Sequence, residues 1–434
     1  MAIWNPKYEC ISRDELEQLQ LERLQLTLNR VYRNVVYHQT VFDREGIVPE
    51  AVQSIADLGK IPFTDRQTLR AAYPYDLFAV PRREVLRLQT SSGTTGEPIV
   101  VGYTRNDIQH WTELVARILT AAGITRDDLI QISFDYGLFP GALGMHYGAE
   151  EIGASVIPAS AAGLDRQIKV MRDFHSTALI APPSHARRLA DAIHDLKLDP
   201  RELHLRVGVF GAEPWSENIR QHIEQKLKIR AFDFYGLSEM FNPGVAGECE
   251  ATSGLHIFED HFIPEIIEPK TSRPLEFGAE GELVLTSVTK EAFPMIRYRT
   301  GDITSLVPGA CPCGRTLVRM SRVKGRTDDM FFVQGVNVFP SQVEQILARV
   351  EGTEPHFRIE LDLEKNQEVV RLLVEIAPGI FFDEMKRLQA LKKEIEEKFY
   401  RSLGLKVEVR LVEPRTLQKE GGAGKKVVDK RRKI

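Results

Sequence analysis

Five short apolar runs, with helical patterns between the later ones, constrain the fold more than any other feature of this sequence. The runs lie at 129–133, 153–157, 178–181, 205–210 and 229–234. Segments with apolar residues at helical spacing lie between the later runs, at 164–174, 184–195 and 215–227. Strands that alternate with helices form parallel, doubly wound sheets. We therefore expect an α/β fold built on such a sheet.

The carboxyl ends of these strands are the expected position of a binding cleft, because open parallel sheets bind ligands there. Four ends read FDYG at 134–137, APP at 181–183, GAEP at 211–214 and YGLSE at 235–239. Taken together, the four ends are rich in glycine, proline, aromatic and acidic residues. One such end would mean little, but four of them indicate a cleft.

The rest of the chain predicts a helical start, a β-rich subdomain and a small second domain. An amphipathic helix is expected over 13–38 after a capping pattern at Ser12, and the β-rich subdomain over about 255–322. The later α+β unit comprises strands at 331–334, 356–361, 369–376 and 405–411, a helix from Pro340 and a helix over 382–402. The basic tail from Arg415 is expected to be mobile.

Composition places the chain among ordinary globular proteins. With 434 residues it is long enough for more than one domain, and its formal net charge of −4 gives no overall field that favours nucleic acid or membrane. The N-terminus carries no apolar signal segment, and no apolar run approaches the length of a membrane span. These features predict a cytoplasmic protein without a nucleic-acid or membrane partner.

A loop of serine, threonine and glycine at 91–96 is the first candidate binding element. It lies within LQTSSGTTGEPIVVGYT at 88–104, between two apolar segments. Glycines let backbone N–H groups approach a ligand, and the hydroxyls add donors, so the loop suits a polyphosphate. It is not a Walker A loop, because no Lys-Ser/Thr pair follows the second glycine. A plain hairpin turn is the alternative.

Two acidic residues at strand ends or turns extend the candidate site. Glu239 follows the run at 229–234, where a carboxylate can hold Mg²⁺ together with substrate phosphates. Asp302 ends the sequence YRTGD, and its carboxylate can accept both hydroxyls of a ribose. An ordinary loop glutamate and a Gly-Asp turn are the alternatives.

Three of the four cysteines form a candidate metal centre with one histidine. The residues are Cys249, His256, Cys311 and Cys313. Thiolates and imidazole suit tetrahedral zinc, and Cys-x-Cys on a turn can place two thiolates on one ion. The spacing is not that of a regular zinc finger, so unpaired thiols beside a turn are the alternative.

An ordered set of motifs resembles the adenylate-forming enzyme superfamily. The motifs are SSGTTGEP, YGLSE, IRYRTGD, GRTDDMFFVQGVNVFP and the C-terminal KKVVDKR. Within that superfamily, PYDLFAVPRREV, YGLFPGALGMHYG, GAEPW and GLHIFEDHF are most similar to the phenylacetate–coenzyme A ligases. The resemblance runs through nearly the whole chain.

The resemblance implies a two-step ligase with two domains. An aromatic acid would react with ATP to give an acyl-adenylate and pyrophosphate, and coenzyme A would then displace AMP. An AMP-binding domain at 1–327 would precede a small mobile α+β domain at 328–434, with a hinge near Asp328. ATP or AMP, Mg²⁺ and coenzyme A would be bound, zinc at the Cys/His set becomes the favoured reading, and a homodimer is one option for the oligomeric state.

The resemblance also implies a role for individual residues. The phosphate loop would comprise Ser91, Ser92, Gly93, Thr94, Thr95 and Gly96, with Thr94 and Glu239 acting in catalysis. Adenine would be held by Gly211, Ala212, Glu213, Pro214, Asp233, Phe234, Tyr235 and Gly236. Asp302 would accept the ribose hydroxyls and Arg326 would lie near it. Tyr136, Phe139 and Gly141 would line the acid pocket.

Two positions depart from the family pattern. Glu97 stands where the loop usually has lysine, and Ala423 stands six residues before Asp429, where a catalytic lysine is usual. Lys419, Lys425 and Lys426 are nearby, and Lys425 is the preferred candidate. One alternative to coenzyme A ligation is transfer of the acyl group to a carrier protein or another acceptor. The two departures motivate a second alternative, nucleotide binding with weak catalysis.

Overall fold

A computed structural model describes most of the chain in two compact units. The described residues are 2–90, 99–137, 141–160, 162–327, 331–333, 336–338, 340–364, 367–377, 385–414, 416–419 and 426–431. The first unit comprises Met1–Thr300 and Thr304–Arg322, and the second comprises Gly301–Ile303 and Val323–Ile434. The predicted boundary at 327/328 stays a prediction, and Asp328 lies outside the described residues.

Nine α-helices are assigned within the described part of the first unit. They are α1 (Pro6–Glu9), α2 (Arg13–Asn34), α3 (Val36–Glu45), α4 (Arg66–Ala71), α5 (Arg105–Ala121), α6 (Gly141–Glu151), α7 (Leu164–Phe174), α8 (Pro183–Asp195) and α9 (Glu217–Leu227). The Ser12 side chain accepts the Glu15 N–H and the Glu15 carboxylate accepts the Ser12 N–H, so α2 begins with the predicted capping box.

The predicted helix over 13–38 is interrupted at Val35. Its backbone is extended there, with φ −119° and ψ 105°, and α3 begins at the next residue. The change of direction keeps Val31 and Val35 buried at the end of α2 while Phe42 is buried on α3. Periodicity alone could not show this break, because the apolar spacing continues through it.

The strands between residues 87 and 320 include the predicted parallel sheet. They are β1 (Arg87–Thr90), β2 (Val100–Tyr103), β3 (Leu129–Ile132), β4 (Ser155–Pro158), β5 (Ala178–Ala181), β6 (Val207–Gly211), β7 (Arg230–Tyr235), β8 (Ala246–Glu248), β9 (Leu255–Ile257), β10 (Phe262–Ile267), β11 (Gly281–Ser287), β12 (Tyr298–Thr304), β13 (Leu306–Val307) and β14 (Arg319–Met320). Strands β7-β6-β5-β3-β4 pair in parallel, and β13-β14-β9-β8 extend the sheet from β7 by antiparallel pairing.

Burial explains why the central strands form the sheet interior. Every residue of β5 and β6 is buried, which is typical of a parallel sheet covered on both faces. Residues of α7, α8 and α9 pack in one cluster with these strands, including Met171, Leu189 and Ile223. The predicted α/β class with a β-rich part is confirmed, since the later strands β9 to β14 fall within 255–322.

The second unit is the predicted small α+β unit. Its elements are β15 (Gly325–Arg326), β16 (Phe331–Val333), β17 (Val336–Val338), α10 (Pro340–Leu347), β18 (Thr353–Glu364), β19 (Gln367–Ile376), α11 (Met385–Leu403), β20 (Glu408–Val412), α12 (Thr416–Lys419) and β21 (Val427–Asp429). Strands pair in the order β20-β19-β18-β21. Ile395 and Phe399 of α11 pack in one apolar cluster with Ile359 and Leu372 of this sheet.

The expectation of a mobile tail from Arg415 is wrong for its described end. Strand β21 pairs in parallel with β18, Ile359 opposite Val427 and Leu361 opposite Asp429. Val427 packs against the apolar cluster of the unit, which gives the strand a reason to dock. Charge and glycine content dominated the sequence pattern and concealed two adjacent valines.

Candidate functional site

The ends of β6 and β7 lie side by side and bring two of the predicted segments together. Gly211 pairs with Phe234 in the parallel ladder. A Cβ atom at position 211 would lie 2.4 Å from the Phe234 carbonyl oxygen, so only glycine fits. Ala212 follows with φ +69°, a left-handed conformation that is uncommon for a residue with a side chain and is often found at functional sites. The backbone at 211–212 is thus held in an unusual shape beside β7.

Glu213 anchors this turn to a third strand end. Its Oε1 atom accepts the backbone N–H of Ser184, at the start of α8, over 2.6 Å. The three predicted segments at 181–183, 211–214 and 235–239 therefore lie at one edge of the sheet. The Glu213 carboxylate is used in this contact.

Asp233 lies on β7 in a buried charge cluster. Burial, and then the neighbouring Glu248 carboxylate, raise the pKa of Asp233 well above its usual range. Arg220 donates to Glu248 at 2.5 Å, and Arg322 Nε lies 3.6 Å from Asp233 Oδ2. The guanidinium of Arg322 also lies over the Trp215 ring. This cluster holds Asp233 in place but was not visible in the sequence, because its partners are distant along the chain.

Glu239 is buried in the turn that follows β7. A Cβ atom at Gly236, where the turn begins, would lie 2.6 Å from the Phe241 carbonyl oxygen, so the turn folds tightly on itself. The ammonium group of Lys290 donates to the carbonyl oxygens of Glu239 at 3.1 Å and Met240 at 2.5 Å. Burial lowers the pKa of Lys290 to about 7. Sequence analysis missed this lysine, because it stands between Thr289 and Glu291 in a polar stretch that carries no motif.

Asp302 and Arg326 meet within the second unit. They face each other where β12 pairs with β15, and Arg326 Nη1 lies 2.7 Å from Asp302 Oδ1. Gly301 precedes them with φ +79°, and a Cβ atom there would lie 2.8 Å from Arg326 Nη2. The two residues that the family resemblance placed near one another are therefore in contact.

Tyr136 belongs to a short hydrogen-bonded chain beside α6. Its hydroxyl lies 3.2 Å from His146 Nδ1, and His146 Nε2 lies 3.1 Å from Glu150. Burial and the Glu150 charge raise the pKa of Tyr136 above its usual range, so the phenol stays neutral. Gly141 is buried at the first position of the same helix. Of the three predicted pocket residues, Tyr136 thus contacts α6 and Gly141 begins it, and Phe139 is outside the described residues.

The four predicted metal ligands converge although they are distant in sequence. Cys249, His256, Cys311 and Cys313 are buried, and their ligand atoms all lie within 4.8 Å of one another. The Sγ atoms of Cys249 and Cys311 are 3.7 Å apart, and Cys313 Sγ is 3.5 Å from His256 Nε2. The other ring nitrogen of His256 lies 3.3 Å from the Leu317 carbonyl oxygen. Burial raises the pKa of Cys249 to about 12.

Several predicted residues lie outside the described part of the chain. They are Ser91, Ser92, Gly93, Thr94, Thr95, Gly96, Glu97, Phe139, Asp328, Ala423 and Lys425. The strands that flank the glycine-rich loop are described, and Thr90 pairs with Val100 across them. The roles of the loop and of Lys425 remain predictions.

The described basic residues of the tail contact acids on the same unit. Lys426 lies 3.2 Å from Glu344, and Lys430 lies 2.9 Å from Glu360. Neutralised charges of this kind form a solvated face more readily than a nucleic-acid patch.

Among the described helices, none combines the length and apolar character needed to cross a bilayer.

Two family models match the chain in the order of its two units. The model for an AMP-binding enzyme matches residues 11–289, and the model for an AMP-binding enzyme C-terminal domain matches residues 335–431. Together they cover most of the elements described above.

Curated relatives match nearly the full length. A phenylacetate–coenzyme A ligase of Aromatoleum evansii is 43% identical over 428 residues, which cover 98% of this chain and 97% of the relative. One of Escherichia coli (strain K12) is 43% identical over 425 residues, with the same coverage. The crystal structure of a 2-hydroxyisobutyryl-CoA ligase in the postadenylation state aligns with a TM-score of 0.89 at 26% identity, over 98% of this chain and 92% of that chain.

Proposed function

The chain belongs to the AMP-binding enzymes and, within them, to the phenylacetate–coenzyme A ligases, and we propose that its acid substrate is phenylacetate. It is an AMP-forming acid–coenzyme A ligase. The observation that carries the specific substrate is identity above 40% over nearly the whole length of relatives with that name. The half-buried side chain of Tyr136 supports an aromatic-sized acid.

The proposed reaction proceeds in two balanced steps. A carboxylate oxygen of phenylacetate attacks the α-phosphorus of ATP, and the bond from that phosphorus to the β-phosphate oxygen breaks to release pyrophosphate. The sulfur of coenzyme A then attacks the acyl carbon of the adenylate, the bond to AMP breaks, and the thiol proton passes to solvent. The chain must therefore bind a nucleotide, an acid and a thiol in turn.

We propose nucleotide-binding roles for the ends of β6 and β7 and, separately, for Asp302. The constrained backbone at 211–212 and the buried Asp233 support adenine binding at β6 and β7. The contact between Asp302 and Arg326 supports ribose binding, because the guanidinium fixes the carboxylate that would accept the hydroxyls. We assign the triphosphate to the loop at 91–96, including Thr94, and the transition-state charge to Lys425.

Glu239 would hold Mg²⁺, which neutralises phosphate charge when it is bound. A buried carboxylate on a turn whose backbone is fixed by Lys290 fits such a role. The same carboxylate would cost stability if it met no cation, because buried charges are unfavourable unless they are paired.

We assign zinc to the cluster of Cys249, His256, Cys311 and Cys313. With Zn–S near 2.3 Å and Zn–N near 2.0 Å, neighbouring donors of a tetrahedral site are about 3.5–3.8 Å apart. The 3.7 Å and 3.5 Å separations match that geometry. His256 can also donate its second N–H to the Leu317 carbonyl, the orientation typical of a metal-bound imidazole. The ion would be structural, since four protein donors leave no open position.

The use of ATP and coenzyme A supports a cytoplasmic location for the enzyme. We propose a homodimer as its oligomeric state, which light scattering tests.

Pyrophosphate release with ATP, Mg²⁺ and a panel of aryl and aliphatic acids tests the function. Phenylacetate should give the highest kcat/KM and should yield phenylacetyl-coenzyme A when free coenzyme A is supplied. If none of the acids supports pyrophosphate release, the ligase assignment is refuted. Adenylate formation without thioester would point to another acyl acceptor.

A further inference from the structure

The side chain of Lys290 is enclosed directly beneath the Glu239 turn. It is 1% exposed, and its ammonium group donates to two consecutive carbonyl oxygens, those of Glu239 and Met240. Nothing in the proposed reaction uses this group, because it contacts backbone atoms and is shielded from solvent. Its contacts nonetheless fix the residue that would hold Mg²⁺.

Aromatic rings close the remaining sides of the ammonium group. Its Nζ atom lies 4.7 Å from the ring centroid of Tyr103, 5.3 Å from Phe241 and 5.7 Å from Phe293. Cations are attracted to the faces of aromatic rings at such distances. The amine can donate to the carbonyls in either protonation state, so its two hydrogen bonds to the turn do not require a charged lysine.

The segment that carries Lys290 is itself held rigidly. Asp107 accepts the N–H groups of Glu291 at 2.7 Å and Ala292 at 3.0 Å, and it also accepts the N–H of Thr104. On the other side, the Thr27 hydroxyl donates to the Val288 carbonyl oxygen over 3.1 Å. The backbone that carries Lys290 is therefore held in place by hydrogen bonds to α5 and α2.

The same contacts connect the turn to the strand that leaves the glycine-rich loop. Tyr103 is the last residue of β2, and its ring stacks on Trp111 at 5.1 Å with an interplanar angle of 13°. The Trp111 indole N–H donates to the Pro243 carbonyl oxygen, further along the Glu239 turn. Two donors, Lys290 and Trp111, thus hold one turn from the side of β2.

We propose that Lys290 is a positioning residue for the adenylation step, where it fixes the backbone of Glu239 so that its carboxylate meets Mg²⁺. This inference rests on the proposed function. A methionine would fill the same space without the cost of burying an amine, so packing alone does not explain a lysine here. Loss of the two hydrogen bonds would free the Glu239 backbone while leaving its carboxylate present.

The effect should be confined to one half-reaction. Residues that orient a metal ligand typically change metal affinity or activity by about 10–100-fold when they are replaced. Lys290→Met should therefore slow ATP–pyrophosphate exchange by about that factor and raise the Mg²⁺ concentration for half-maximal rate. Thioester formation from supplied acyl-adenylate should change less than about twofold, since pyrophosphate has already left.

A metal-free measurement separates positioning from general damage. In hydrogen–deuterium exchange without nucleotide or Mg²⁺, Lys290→Met should exchange about tenfold faster over 236–243 because two hydrogen bonds are lost. The interior strand β6 should be unchanged. Thr27→Val is the matched control, because it removes a buried hydrogen bond to Val288, two residues from Lys290, that does not involve the Glu239 turn.

The outcomes are distinct. Slower pyrophosphate exchange, a higher Mg²⁺ requirement and faster amide exchange at 236–243, all absent from Thr27→Val, would support the inference. Wild-type Mg²⁺ dependence, or equal losses in both half-reactions, would overturn it. If Lys290→Met fails to fold, Lys290→Gln, which keeps a shorter amide donor, should show the same changes in exchange rate and Mg²⁺ requirement to a smaller degree. Their absence would also overturn the inference.

Wild-type activity with phenylacetate tests the proposed function separately. If the enzyme uses another acid, the Lys290 comparison is made with that acid.

Discussion

Arg326 donates to Asp302 across the β12–β15 ladder, Nη1 to Oδ1 over 2.7 Å. The ladder fixes the two backbones opposite each other, and Gly301 leaves room for the guanidinium. A charged partner of this kind orients the carboxylate. This orientation is the basis on which a ribose contact is proposed for Asp302.

Asp302→Ala should raise the KM for ATP by roughly 10–100-fold, because hydrogen bonds to a charged acceptor contribute about 1.5–3 kcal/mol each. Arg326→Ala should raise KM less, since the carboxylate remains but is no longer oriented. Initial-rate kinetics of pyrophosphate release measure both, and a double variant tests whether the losses are non-additive. Equal KM values in wild type and Asp302→Ala would contradict the ribose assignment.

The zinc assignment predicts about one metal ion per chain by elemental analysis. Cys311→Ala/Cys313→Ala should lose the ion and lower the free energy of unfolding by on the order of 4 kcal/mol or more, the range seen when a structural metal is lost. Cys10→Ala is the matched control, since Cys10 is a free cysteine outside the cluster. Metal-free native protein with full stability would contradict the assignment.

The sequence predicted the sheet and the site segments for a physical reason. Apolar runs of strand length that alternate with helical segments are typical of buried strands in a parallel sheet. Residues at the carboxyl ends of such strands must meet at one edge of the sheet. Both predictions depend on local pattern and on the regular geometry of a sheet. The proximity of Asp302 and Arg326 came instead from the family resemblance, and the structure joins the two residues by a short ladder.

Contacts between distant, individually ordinary residues could not be predicted. Lys290 lies 50 residues from the Met240 carbonyl that it holds, and only packing brings them together. The extended Val35 within an unbroken apolar pattern and the docking of Val427 have the same origin. In each case tertiary burial decides between local options that periodicity and composition leave equal.

Gly211→Ala should destabilise the first unit by about 1–3 kcal/mol, the usual cost of overpacking, because its Cβ would lie 2.4 Å from the Phe234 carbonyl oxygen. Movement of the 211–214 turn should also raise the KM for ATP by roughly tenfold or more, as misplaced binding groups do. Gly59→Ala is the control, since a Cβ there has no described neighbour within 4 Å. Urea unfolding and initial rates measure the two effects. Equal stability and KM in both variants would show that the turn has room to move.

His38 should make the first unit sensitive to acid. It is buried on α3, with its ring against Tyr37 and Phe42, and burial lowers its pKa to about 4. An unfolded histidine has a pKa near 6.5, so between about pH 4 and 6.5 the unfolded chain binds more protons than the folded one. The free energy of unfolding therefore rises with pH through that window, and its full value is present above pH 6.5.

His38→Phe should remove this dependence while it keeps a ring in the same cavity. Between pH 7.5 and pH 5, His38 should cost wild type about 2 kcal/mol of unfolding free energy, because pH 5 lies about 1.5 units below the pKa of an unfolded histidine. The variant should not show this loss. Urea unfolding followed by tryptophan fluorescence suits the measurement, because Trp4, Trp111 and Trp215 all lie in the first unit. The exposed His194, replaced by glutamine, is the control and should leave the pH dependence as it is in wild type. Parallel pH curves for wild type and His38→Phe would mean that His38 finds a proton partner in the folded state, which would refute the burial argument.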